Sequence, residues 1–223
     1  IYKGKGPDEL GFGGLTDLPV VAYAADEDGG NGAGLGRRLI LGDFNGDAYL
    51  DLVVGANNWD SNRDDEEGTA IRRYTNAGGV FVFAGAPLPD EPAYEMVSIL
   101  DADWSHQELI AYSNGGSGIA FGDVNGDERL DLVVGSYTLN APGEPNAGAV
   151  KVFFQTADGW PDPLAASVEW KGLYGHHRLG ESVAVLSDYN GDAWADAVAF
   201  ATYDRDDGYR AGNAYLLYTD APQ

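Results

Sequence analysis

Asp43, Asn45, Asp47 and Asp51 stand at relative positions 1, 3, 5 and 9 of one acidic loop, with Gly46 at position 4. The same types recur at the same spacing as Asp123, Asn125, Asp127 and Asp131 around Gly126, and as Asp188, Asn190, Asp192 and Asp196 around Gly191. Hard oxygen donors at this density suit a divalent cation, and calcium takes about six to eight oxygens at about 2.3–2.6 Å. Position 7 is Tyr49, Arg129 or Trp194. These side chains share no chemistry, so the main-chain carbonyl is the expected ligand there. The glycines permit the positive φ that folds such ligands inward. Carboxylates crowded at ligand distance repel one another unless a cation lies among them. Three Ca2+ sites are therefore expected. Asn-Gly-Asp alone marks an ordinary turn, but three copies in register, each with a ninth-position Asp, ask for more than turns. An EF-hand would place Gly at position 6 and Glu at position 12 between helices, whereas an apolar, strand-like run follows here.

Those runs, Leu52–Val54, Leu132–Val134 and Ala197–Phe200, are continuous rather than alternating, as expected of strands covered on both faces. Eighty residues separate Asp43 from Asp123 and sixty-five separate Asp123 from Asp188, a repeat period with extra length in the first copy. A short strand precedes each loop (Leu39–Leu41, Ile119–Phe121, Ser182–Leu186). A Gly-led strand follows it, in NAGGVFVF from Asn76, NAGAVKVF from Asn146 and RAGNAYLLY from Arg210. Tyr94–Leu100 and Ser167–Trp170 supply a fourth strand between copies. With 32 glycines and 10 prolines and no 3.6-residue period, no helix is expected. The fold class is all-β, a β-propeller of four-stranded blades. Residues 1–30 form an N-terminal segment contributing an outer strand, Pro19–Ala24, that could complete a terminal blade. Residues 31–223 hold three blades, at about 31–100, 101–172 and 173–223.

The chain has 223 residues, 36 acidic and 13 basic, for a formal net charge of −23. Such a surface repels nucleic acid and anionic membranes, and three divalent cations would offset only part of it. No apolar stretch approaches the length of a membrane span, so membrane insertion is not expected. The absence of cysteine removes disulfides and thiol chemistry. Calcium loops of this kind work where calcium is about millimolar, which places the chain outside the cell, secreted or at the cell surface.

The order of a short Gly-flanked strand, Asp-x-Asn-Gly-Asp-x-x-x-Asp, Leu-Val-Val-Gly-Ala and then Gly-x-Val-x-Val-Phe resembles the FG-GAP repeats of integrin α-subunit propellers and their microbial relatives. Leu179-Gly180-Glu181-Ser182-Val183 keeps the most familiar opening, and the resemblance runs over roughly Leu35 to Asp220. It implies that each acidic loop joins the two innermost strands of a blade and binds calcium. It also implies an extracellular module for adhesion or glycan binding, or an accessory domain of a larger enzyme. Family propellers usually close with seven blades, and three are recognisable here. Exposed blade faces are costly, so a homo-oligomer, a polymer or a complementary propeller half is the expected partner arrangement.

Ala56–Asn76 is a long polar insertion in the first blade. Within it Trp59, Asp60 and Arg72 could bind a sugar, the indole stacking and its neighbours hydrogen-bonding the hydroxyls. His106, His176 and His177 lack zinc-site spacing and are expected at the surface or as caps. Ser117 lacks a nucleophile-elbow pattern. With no catalytic set, binding of a protein or glycan ligand is favoured over an enzyme, for instance a polysaccharide lyase or dehydratase subunit. A building block of an extracellular fibre is a third possibility.

Overall fold

The computed structural model describes residues 20–23, 32–64, 71–86, 95–203 and 211–218. Their strands are β1 (Val20–Tyr23), β2 (Leu35–Gly42), β3 (Asp51–Ala56), β4 (Ser61–Asp64), β5 (Ile71–Tyr74), β6 (Gly79–Phe83), β7 (Glu95–Ser98) and β8 (Trp104–Gln107). Beyond the midpoint follow β9 (Gly115–Gly122), β10 (Asp131–Ser136), β11 (Ala149–Phe153), β12 (Val168–Lys171), β13 (Leu179–Leu186), β14 (Asp196–Ala201) and β15 (Asn213–Leu217). The only helical element among the described residues is a short 3-10 turn at Ile99–Asp101, capped by Ser98. The molecule is all-β.

Three sheets share one plan. β2-β3-β6-β8 and β9-β10-β11-β12 are four-stranded, and β13-β14-β15 shows three described strands. All their pairings are antiparallel. Each acidic loop connects the first strand of a sheet to the second. Ile40, Val53, Val80, Val82 and Trp104 of the first sheet meet Ile119, Leu132, Val134 and Phe153 of the second. The opposite face of the second sheet, through Ala120, Val133, Val150 and Val152, meets Val183, Ala197, Ala199 and Leu217 of the third. The middle sheet is thus covered on both sides, which accounts for the continuous apolar run of β10, all six of whose residues are buried.

Glycine makes the close approach possible where β10 meets β13. A Cβ added at Gly135 would lie 1.9 Å from the Gly180 carbonyl oxygen, well inside contact distance. Ser117 sits at the same seam, its hydroxyl within hydrogen-bond distance of the Gly135 and Gly180 carbonyls at 3.0 and 3.1 Å.

Several expectations need correction. The fourth strand of the first sheet is β8, not Tyr94–Leu100, so that sheet runs past residue 100, where the boundary between copies was expected. Trp104 of β8 accounts for this: it packs edge-on against Phe153, and its indole N–H donates to the Pro161 carbonyl. β7 instead pairs in parallel with β1 in a separate two-stranded sheet, so the N-terminal strand does not extend any of the three larger sheets. The polar insertion carries a hairpin of its own, β4-β5. His106 and His177 are buried rather than superficial. The His106 Nδ1–H donates to the Pro163 carbonyl, and the His177 Nε2 lies 2.8 Å from the Tyr215 hydroxyl.

Candidate functional site

The three acidic loops fold alike because the Asp at position 1 accepts successive main-chain N–H groups. Asp43 Oδ1 accepts from Gly46 and Asp47 at 2.7 and 3.1 Å, and its Oδ2 from Ala48 at 2.9 Å. Asp123 does the same for Gly126, Asp127 and Glu128, and Asp188 for Gly191, Asp192 and Ala193. Asn45, Asn125 and Asn190 each accept the N–H two residues on. Asp47, Asp127 and Asp192 accept from Tyr49, Arg129 and Trp194. Gly46, Gly126 and Gly191 take φ of 79°, 78° and 86°, as their position requires. Position 6 also has positive φ, at Ala48, Glu128 and Ala193, which their residue types did not announce.

Position 9 does a different job. Asp51 is buried and accepts from Phe44 N at 2.8 Å and from Gly85 N at 2.7 Å. Asp131 accepts from Val124 N and Gln155 N at 3.0 and 3.1 Å. Each therefore ties the start of its loop to the end of the third strand. Asp196 binds Tyr189 N and Asn190 N. Burial pushes the Asp131 carboxyl up to about 7; the Val124 and Gln155 N–H groups oppose the shift, while the charges of Asp127 and Asp123 add to it.

Among the described residues, no three acidic or histidine side chains converge as they stand into a cage for a metal ion. The carboxylates face the loop's own N–H groups, and the amides of Asn45 and Asn190 donate to Asp47 and Asp192. The donor set still suits a hard cation in type and number. Each loop carries three carboxylates and an amide oxygen within nine residues, and a carboxylate oxygen that accepts one N–H keeps a further lone pair. Position-7 side chains are less idle than expected: Arg129 lies 3.5 Å from Asp127, and the Trp194 indole lies against Gly126.

The proposed sugar site is rearranged. Trp59 is buried, its indole N–H donating to Gln107 Oε1 at 3.0 Å and its ring edge-on to Phe81. A buried indole has no face to offer a sugar. Asp60 is held by Arg73 at 2.7 Å and by Asn76 N, so it anchors the hairpin. Arg72 is exposed.

The FG-GAP repeat family matches residues 35–83 and 115–153, which are the first three strands of the first and second sheets. The chain carries FG-GAP repeats. The first two sheets correspond to those repeats, and the third, outside the matched residues, shows the same order of strand, acidic loop and strand in β13 and β14. Integrin alpha-PS2 of Drosophila melanogaster is 25% identical over 188 residues, 82% of this chain and 11% of the integrin. The chain thus spans about a tenth of the length of that relative. No helix among the described residues is long and apolar enough to cross a membrane.

Proposed function

We propose that this FG-GAP chain is an extracellular calcium-binding module for adhesion, in which three Ca2+ ions brace the blades and the propeller surface binds a protein or glycan ligand. The repeat and the integrin relative favour ligand binding over enzymatic turnover. The observation that carries the calcium reading is the near-identical fold of three loops that differ at positions 2, 6, 7 and 8 but keep every side-chain oxygen donor. Asp43, Asn45, Asp47, Asp51 and the Tyr49 carbonyl would hold the first ion. Asp123, Asn125, Asp127, Asp131 and the Arg129 carbonyl would hold the second, and Asp188, Asn190, Asp192, Asp196 and the Trp194 carbonyl the third.

Assembly belongs to the same proposal. Leu39 and Leu41 on the outer face of the first blade are 56% and 50% exposed, and Phe200 on the outer face of the third is 41% exposed. Covering such faces with further blades, from a second copy or a complementary half, removes apolar surface from water.

Calorimetric titration with Ca2+ tests the calcium reading, with about three sites expected per chain. An ion that binds only the folded chain stabilises it by about 2.7 kcal/mol per site at a hundredfold excess over Kd. A melting temperature indifferent to both calcium and chelator would overturn this reading. Light scattering of the same sample reads the assembly, and a glycan array together with a lyase assay separates binding from turnover.

A further inference from the structure

We infer that the second calcium loop is completed by the third blade, with Trp194 as a positioning residue that couples ion binding at the two loops. The inference rests on the calcium reading above and adds to it that two of the sites are linked while the first is independent.

Two contacts carry it. Ala195 N–H, in the third loop, donates to the carbonyl of Asp123, the first residue of the second loop, at 3.0 Å. The indole of Trp194 lies on Gly126, so that a Cβ there would sit 2.0 Å from Nε1 and 2.4 Å from Cδ1. Trp194 is itself tied to the third loop through its N–H to Asp192 Oδ1 at 2.9 Å. One short segment therefore belongs to both loops. The corresponding glycines of the other loops are open, with nothing within 4 Å of a Cβ at Gly46 or Gly191. Arg129, which holds in the second loop the place of Trp194, turns to its own Asp127 and not to the first loop.

An ion in the third loop holds Asp192 and the main chain of Trp194, and through the indole and the Ala195 N–H it fixes Gly126 and Asp123. The second loop is then ordered before its own ion arrives, so less ordering entropy is lost on binding. By linkage the effect is the same in the other direction. Repulsion between the two cations opposes it, but the loops are exposed, and salt screens such charges over about 8 Å.

Calorimetry on the 223-residue chain tests the coupling with Ca2+ alone as probe. In a D47A background, which silences the first loop, D192A leaves only the second loop, D127A only the third, and neither change leaves both. Binding to the pair is expected to be at least about fivefold tighter than the product of the single-loop constants. W194F, which keeps a ring in place, is expected to reduce that factor, and W194A to remove it. In a D192A background, the first and second loops are expected to bind independently. Two loops that bind Ca2+ with no excess, or with a negative one, overturn the coupling and leave the calcium reading intact. Equal coupling in W194A and the unchanged chain overturns the role of Trp194. A native chain that takes up no Ca2+ defeats the calcium reading itself and this inference with it. Retention of the native circular dichroism spectrum by W194F keeps the comparison free of misfolding.

Discussion

The first and second blades carry nearly the same words, LDLVVGA after one acidic loop and LDLVVGS after the other, yet their first strands live in different surroundings. β9 is buried along most of its length, whereas Gly36 to Leu39 and Leu41 of β2 are exposed. Ile119 and Leu39 hold equivalent places opposite Val134 and Val54, but Ile119 is 7% exposed and Leu39 56%. The difference lies in the neighbour and not in the strand. Ile119 faces the first blade, and the equivalent face of the first blade has no blade before it among the described residues. A repeat of this kind carries the means of packing on both sides and uses them only where another blade stands.

The strongest way to break the pair of blades is at the charge that links them. Glu108, just past β8, is buried, and both its oxygens lie 2.7 Å from Lys151 Nζ on β11. Ser136 donates to it as well, at 2.7 Å, and His106 Nε2 stands 3.5 Å away. Replacing Glu108 by Ala leaves a largely covered ammonium without its partner, at an expected cost of up to about 3–5 kcal/mol in urea unfolding. The same group sets a pH dependence. Burial alone would raise its pKa, but the nearby His106 ring and the Lys151 ammonium outweigh burial and hold it at about 2, below the ordinary 4.5. A lowered carboxyl pKa stabilises the folded state above the ordinary value, and that share is lost as pH falls from about 4.5 towards 2. Glu108→Gln is expected to flatten this part of the stability profile; an unchanged acid limb would show that the pair contributes nothing.

Next in size is the apolar seam. Ile119→Ala is expected to cost about 2–5 kcal/mol, because it opens a cavity between two sheets. Removal of calcium by a chelator follows, at about 2.7 kcal/mol for each site that was a hundredfold saturated. Asp127→Ala, in the loop between β9 and β10, should forfeit the share of one site, and its melting temperature should respond less to chelator than that of the unchanged chain. Equal responses in the two proteins would separate this loop from calcium.

Most of what repeats was legible in the sequence, because a calcium-type loop and a buried strand are local patterns with fixed spacing. The all-β class, the three sheets and the loop between first and second strands all follow from the residues between Asp43 and Ala201. What escaped is what neighbours decide. Tyr94–Leu100 and Trp104–Gln107 both have strand character, and only Phe153 and Pro161 on the second blade select the latter. Trp59 stands in a polar stretch, and its burial comes from Phe81 and Gln107, which lie far along the chain. The burial of Glu108 and His106 likewise depends on Lys151, Ser136 and Pro163. Gly126 had a visible local reason, its positive φ, and a hidden one, the indole of Trp194 on the next blade.

The smallest expected effect is the most informative about the open face. Leu39 is more than half exposed, so Leu39→Ala in an isolated chain removes little buried surface and should change stability by no more than about 0.5 kcal/mol. In an assembly that covers the first blade, Leu39 takes the environment that Ile119 already has, and its truncation should then cost an amount approaching that of Ile119→Ala. The two cases separate on dilution. If the face is covered by a second copy, the difference in melting temperature between Leu39→Ala and the unchanged chain should grow with protein concentration, because association stabilises the folded chain by mass action. A small difference that stays constant across a hundredfold dilution, in a sample that light scattering shows to be monomeric throughout, would mean that the outer face of the first blade is solvent-exposed and that any partner must be a different molecule.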